Sequence, residues 1–459
     1  MSNKSNNFVP LSLVVLALLG AGVRPGSLRA AEQPLRAIAY DAGFDEADCS
    51  YHSIALGSDG RVYFSMSGHR IEKNVHFCGF DPAQGRVVFS RDLAEGLKNE
   101  DTTKNVPQGK IHSGLMEADK KLYFSTHIGY YKDDLQGRGG YPGFHLMYYD
   151  LRTDKLVDMV RGPAGEGMIA TSLDASRMVM YGLTYPNSQL FKYDIKAGRL
   201  TRLPLPYDEP AEFARKFNSM SITRLLAIDP QGRVYGSRMN GSIWRMAPGG
   251  TPAFLPGLNV RQGAVEPVDE LGRFNHNWRT VLWDDKDRCF YGTHMGTQSL
   301  FRFDPDRLTI QPITRLSAEA FRKRGHTVLS KTMVPLSQLG LAMGPRHTLY
   351  HIVHGPPIEL PGRTKYDTVA RLVTYNLDTG EYKDHGPIFC QDDRRVTFAE
   401  SILLHPNGDI YTVGSVEVIG KDHNRFKALR ELATAGETRG EVYKIMLVRI
   451  PAEQFAAAR

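Results

Sequence analysis

One short pattern recurs seven times along this chain and limits what it can fold into. An apolar strand runs into a tight turn and returns through a strand that carries an aromatic residue. The turns fall at residues 57–60, 118–121, 174–177, 229–232, 284–287, 344–347 and 405–408. They hold the Gly, Asp, Pro and Asn residues that sharp reversals need. The return strands place Tyr63, Tyr123, Tyr181, Tyr235, Tyr291, Tyr350 and Tyr411 at one matching position. A second pattern interleaves with the first. At Phe80-Asp81, Tyr149-Asp150, Tyr193-Asp194, Phe303-Asp304 and Tyr375-Asn376 an aromatic ends a strand and an acid or amide opens a turn before another strand.

Together the two patterns make four-stranded antiparallel units. Seven such units predict an all-β fold, a seven-bladed β-propeller of four-stranded antiparallel blades with a usual period of roughly 40–50 residues. Insertions at 92–108, 257–273 and 315–330 loosen the spacing. The lone strand at 35–40 is expected to form the outer strand of the last blade, beside strands at 398–412 and 441–449. This would close the ring and leave no open sheet edge. Two stacked β-sandwiches would leave the sevenfold recurrence without a reason.

Residues 1–31 read as a signal peptide: Lys4, an apolar run at 11–23, and small residues at 27–31 suited to cleavage. The run is short for a membrane span, and an uncleaved anchor is the alternative. No later apolar run approaches spanning length, so no stable membrane insertion is expected. Residues 32–459 then form a single propeller domain in a secreted or periplasmic protein. Four cysteines without a CxxC pair support neither a zinc ribbon nor a thioredoxin-like motif. A Cys49–Cys78 disulfide is permitted by the sequence but not demanded. The formal charge of +7 favours anionic partners. For an exported protein, acidic polysaccharide or oligosaccharide is the natural anion, rather than nucleic acid.

In a propeller, the start of each first strand and the end of each second strand open on one face. That face gathers His52, His112, Ser172, Arg224, Arg279 and Glu400 with His69, His127, Tyr185, Arg238, His294 and His354. The opposite face receives turn residues such as Asp59, Asp119, Asp174, Asp229, Asp285 and Asn407. A turn centred near residue 119.5 places His112 opposite His127. The functional face is thus rich in imidazole, guanidinium and phenol, and poor in carboxylate, with Glu400 and Glu166 its nearest acids. Arg binds a carboxylate in a two-toothed fork, neutral His accepts a proton, and Tyr or a second His donates one. These groups suit β-elimination on a uronic acid, in which an activated C5 proton leaves and the O4 bond breaks. Glycoside hydrolysis usually wants two facing carboxylates, and neither a GxSxG elbow nor an HExxH helix is present. The expected catalytic residues are His112 as base, with His127 or Tyr185 as acid, and Arg238. The expected substrate-binding residues are His52, Arg224, Arg279, His294 and His354.

With paired His, Tyr and Arg at one mouth, the chain resembles the seven-bladed propeller polysaccharide lyases of the ulvan, oligogalacturonate and rhamnose–glucuronate types. The ulvan lyase resemblance implies His112 and His127 as the His pair, Tyr185 as the Tyr, and Arg224 or Arg238 as the Arg. The oligogalacturonate type uses a His-rich metal site with a Gln; His294, His351 and His354 are available for one, with no Gln beside them. The resemblance leaves room for a divalent metal (Ca, Zn or Mn) and implies no organic cofactor. His276, Cys289 and Cys390 are further zinc candidates, with a buried free thiol the simpler fate of each cysteine. Two alternatives stay open: a lactone-directed, streptogramin-type propeller lyase, and a non-catalytic propeller that binds acidic glycan or a protein partner. Oligomeric state has no signature in the sequence.

Overall fold

A computed structural model of the chain describes residues 33–98, 100–207, 222–265, 276–322, 338–432 and 441–455. The signal peptide expected over 1–31 lies outside the described residues. No described helix is long and apolar enough to cross a membrane.

The repeated hairpins form the centre of a series of antiparallel sheets. Five sheets have four strands each, spanning residues 54–92, 116–161, 167–203, 227–259 and 278–315. A sixth sheet has nine strands drawn from 341–390, 396–450 and the N-terminal strand Leu35–Tyr40. That strand pairs antiparallel with Tyr443–Ile450 through Ile38–Tyr40, as the outer strand expected for the last unit. Its first half, Leu35–Ala37, pairs parallel with Tyr382–Cys390, a contact not anticipated from the sequence. The protein is therefore all-β, built mainly of four-stranded antiparallel sheets.

In three of the hairpins the recurring Tyr is joined to the turn acid. Tyr63 donates its hydroxyl to Asp59 Oδ2 at 2.7 Å, and Tyr235 to Asp229 Oδ2 at 2.9 Å. Tyr291 does the same to Asp287. Each phenol ties a return strand to its own turn, which pins register where a one-residue slip would turn every side chain over. In the hairpin of 116–125, Asp119 and Lys120 take φ of 48° and 59°. This is the two-residue turn whose twist matches that of its strands.

The sheets pack face to face in chain order. Phe77, Phe124 and Tyr149 join the first sheet to the second. Tyr123, Met168 and Phe191 join the second to the third, and Leu183, Val234 and Trp244 the third to the fourth. Tyr235, Phe290 and Phe303 continue to the fifth. Tyr411, Val413 and Leu447, near the end of the chain, pack on Phe64 and Phe80 of the first sheet. Burying each such large side chain contributes roughly 1.5–3 kcal/mol.

Several expectations need correction. The anticipated insertions overlap strands: Asp92, Gly257 and Arg315 belong to Arg86–Asp92, Ala253–Asn259 and Thr309–Arg315. Ser172 lies inside Gly167–Asp174, opposite Tyr181, and donates to the Leu226 carbonyl. It is no strand-start residue. Cys49 and Cys78 are free thiols, as are Cys289 and Cys390.

Candidate functional site

The hairpin of 116–125 keeps its register from Ala118–Lys121 out to Met116–Tyr123 and then slips. Lys110, not His112, pairs with His127. The slip adds two residues to one arm of the hairpin, and an even slip keeps side chains on the same face. The expected opposition of His112 and His127 is lost, yet their rings remain 5.3 Å apart, edge to face. Lys110 joins them. Its Nζ donates to the Tyr131 hydroxyl at 3.1 Å, leaving that hydroxyl to donate to His127 Nε2 at 2.9 Å. Tyr185 closes the group, its ring 5.9 Å from His127 and 5.8 Å from Tyr131. On the other side Arg224 donates to His112 Nε2 at 2.7 Å, and Tyr51 stacks on His112 at 3.9 Å. Lys110, His112, His127 and Arg224 are buried, whereas Tyr131 is 39% exposed and marks the open side.

The charges explain the titration of the group. Burial, then Arg224, pushes His112 well below the usual imidazole range. Burial, then Lys110 and Arg224, does the same to His127. Burial brings Lys110 down to about 8 and, with help from Arg279, Arg224 to about 10. At neutral pH two neutral imidazoles therefore sit between two cations, one of which, Lys110, gives up its proton near pH 8.

Arg279 links the rest of the predicted set. Its charge adds to burial in depressing His52 to about 4 and His354 to about 3, and it acts on His112 and Arg224 as well. Arg279 is itself paired with buried Glu400. Glu166 accepts from Thr184 and Asn187 and is buried. Both acids expected near this face are thus engaged, and Asp48, 2.8 Å from His69 Nδ1, is a third acid there that the sequence reading did not count.

Two predicted members are held elsewhere. Arg238 lies over the Tyr207 ring at 4.2 Å and lines a hollow with Ser242, Phe254 and Asn259. His294 Nε2 meets His276 Nδ1 at 3.3 Å, and its Nδ1 meets Thr297 at 3.1 Å. Burial and the charges of His276 and Arg261 take His294 to about 3. The expectation that no Gln lies beside the later histidines is also corrected, because Gln338 Nε2 is 3.2 Å from His354 Nδ1. His276, Cys289 and Cys390 do not come together as zinc ligands. His276 is on His294, Cys289 accepts from Arg302, and Cys390 ends a strand of another sheet.

Sequence reasoning missed Lys110, Tyr131 and Tyr51. Lys110 shares the face of His112 two residues along the same arm, and Tyr131 stands four residues after His127. Attention to strand-end His and Arg alone passed over both.

No family model matches the chain, and no curated protein matches it. Solved structures do. A streptogramin B lyase superposes with a TM-score of 0.52 at 9% identity, covering 92% of this chain and 99% of its own. A catalytically inactive virginiamycin B lyase from Staphylococcus aureus with quinupristin gives 0.51 at 9%, covering 90% and 98%. The WD40 repeats of RRP9 give 0.52 at 9%, covering 91% and 99%. At such identity the likeness establishes the fold type, that of β-propeller proteins, and nothing of the chemistry.

Proposed function

We propose that this chain is an exported carbon–oxygen lyase that cleaves a uronate-containing glycan, sulfated or not, by β-elimination, on a seven-bladed propeller. The observation that carries the reading is the Lys110–Tyr131–His127 chain of hydrogen bonds beside Arg224. The seven-blade count rests on dividing the nine-stranded sheet at Leu35–Tyr40. The packing of Tyr411 and Leu447 on the first sheet supports closure of the ring. The apolar run at 11–23 supports export.

Arg224 carries the charge that neutralises the C6 carboxylate and makes the C5 proton more acidic. The Tyr131 oxygen takes that proton while its own proton passes to His127 Nε2. The electron pair left on C5 forms the C4–C5 double bond, and the C4–O4 bond breaks. The departing oxygen takes a proton from the Lys110 ammonium. His127 then returns its proton to Lys110 through the Tyr131 hydroxyl, which touches both groups, and the site is restored. His112 changes role from the base expected of it. Its Nε2 already accepts from Arg224, so it orients the guanidinium. Tyr185 forms a wall against Tyr131 and His127.

The test is ultraviolet absorbance during incubation with a panel of uronate polysaccharides. Elimination creates a double bond conjugated to the carboxylate, which hydrolysis cannot produce. A rise with one glycan that disappears in Tyr131→Phe supports the reading. A second reading draws on the neighbours named as streptogramin and virginiamycin lyases: a cyclic ester would be opened and every polymer ignored. Binding of glycan without product from any substrate would instead make the chain a carbohydrate-binding propeller.

A further inference from the structure

Beside the candidate site, a strand pair brings together three donors that the proposed elimination does not use. Cys49 and Ser67 form an antiparallel bridge, with Cys49 N donating to Ser67 O at 3.2 Å and Ser67 N to Cys49 O at 3.1 Å. Residues paired in this way project their side chains to the same face. His69 lies two residues beyond Ser67, past the end of the strand, and Asp48 precedes Cys49. Asp48 Oδ1 is 2.8 Å from His69 Nδ1, and Cys49 Sγ is 3.8 Å from the same nitrogen. A Cys-His-Asp relay would use the two opposite nitrogens of the ring. Here carboxylate and thiol both face Nδ1, so the three groups converge on one point.

The geometry points to a zinc site formed by Asp48, Cys49 and His69 in the wall of the candidate active site. The three ligand atoms lie within 4.8 Å of one another. Zinc bonds of about 2.0–2.3 Å set the edges of a tetrahedron at about 3.3–3.6 Å, so the Asp48–His69 pair opens by about 0.5 Å and the Cys49–His69 pair closes slightly to seat the ion. The donor set, one thiolate, one imidazole and one carboxylate, selects a borderline-soft ion over calcium or magnesium. Charge agrees with burial: a thiolate and a carboxylate cancel Zn²⁺, and the Cys49 thiol proton leaves as the metal enters. Ser67 Oγ is buried and without a hydrogen-bond partner among the described residues. It lies on the Cys49 side of the strand pair, where a metal thiolate would accept its proton. Three protein ligands leave a fourth position, and the Tyr131 ring stands 6.0 Å from His69.

The test is titration of the metal-stripped full chain with Co²⁺, followed by displacement with Zn²⁺. It reads the metal directly, so it stands or falls apart from any elimination activity. One Co²⁺ per chain is expected, with an intense near-ultraviolet thiolate-to-cobalt band that Zn²⁺ abolishes. Cys49→Ser removes the band, whereas Cys78→Ser keeps it. His347→Gln also keeps it, which separates this site from the Asp284–Asp287–His347 group at the turns of the fifth and sixth hairpins. If circular dichroism shows that Cys49→Ser does not fold, Asp48→Asn is the second variant, expected to keep the band and to bind Co²⁺ at least tenfold more weakly. Absence of a thiolate band in the unmutated chain would overturn the proposal, as would a band that survives in folded Cys49→Ser.

Discussion

His127 and His145 sit almost side by side, yet their surroundings push them in opposite directions. His145 pairs next to Thr126, with its N–H donating to Thr126 Oγ1 at 2.7 Å, and both histidine residues are 0% exposed. His145 lies between Glu100 at Nε2 and Asp158, whose Oδ2 is 3.0 Å from Nδ1. Burial alone would lower its pKa, but hydrogen bonds and charge from Asp158 and Glu100 outweigh that and raise it to about 9. His127 has the same burial, but its neighbours are the cations Lys110 and Arg224, and it is driven well below the usual range. One ring is a charged bolt inside the second sheet and the other is a neutral lone pair beside a phenol. The difference lies chiefly in the company each strand face keeps, since residue type and lack of solvent exposure are shared.

The largest effect should come from taking away what the neutral histidine acts on. Tyr131→Phe removes the hydroxyl that joins Lys110 to His127, and the usual worth of such an acid-base group is about 10²- to 10⁴-fold in kcat. Because Tyr131 is partly exposed, the melting temperature should move little. A fall in stability that matched the fall in rate would recast Tyr131 as structural and break the contrast between the two histidines.

His145→Gln should do the reverse, leaving the chemistry and weakening the fold. Removing one partner of a buried charged group costs about 3 kcal/mol or more, because the remaining carboxylates stay buried. The pH dependence carries the sign. The His145 pKa is raised on folding, so its contribution is fully present below about 6.5 and disappears as pH rises toward about 9. His127 and His112 are depressed, so their contribution is present above about 6.5 and disappears as pH falls. Urea denaturation should therefore show a maximum near neutrality. In His145→Gln the alkaline decline should flatten while the acid decline persists.

A smaller effect separates Lys110 from its neighbours. With its pKa near 8, the ammonium that protonates the leaving oxygen is depleted as pH rises. Activity of the unmutated chain should fall about tenfold by one unit above that value. Lys110→Arg should move this alkaline limb upward by more than a unit. An unmoved limb would assign it to another group.

The sequence carried the sheets more faithfully than the site, for a physical reason. Turn acids and return-strand tyrosines are legible together because in three hairpins they share an internal hydrogen bond, as between Tyr235 and Asp229. A device repeated within a few residues is legible without long-range information. The pairing of His127 depended instead on a slip among residues 110–115, which no turn residue announces. Its consequence, Lys110 entering the cluster, was hidden for the same reason. Arg224 against His112 spans 112 residues of chain and was reached only through the propeller geometry. The parallel pairing of Leu35–Ala37 with Ile388–Cys390 had no signal, because either edge of a short apolar strand accepts a partner.

The smallest effect concerns two guanidinium groups that the sequence ranked the other way. Arg224 is buried against His112, while Arg238 lies over Tyr207 beside Phe254, which is 36% exposed. A cation on a partly exposed ring contributes about 0.5–1 kcal/mol. Arg238→Ala should therefore raise KM by less than about fivefold and leave kcat alone, through weaker hold on a distant sugar. Arg224→Ala should lower kcat, because the guanidinium stabilises the negative charge that builds on the C6 carboxylate only while the C5 proton is leaving. Steady-state kinetics on one defined uronate oligosaccharide distinguishes the two. A hundredfold fall in kcat for Arg238→Ala would place that residue back among the reacting groups. It would also mean that the Tyr207 hollow, rather than the Tyr131 mouth, holds the scissile bond.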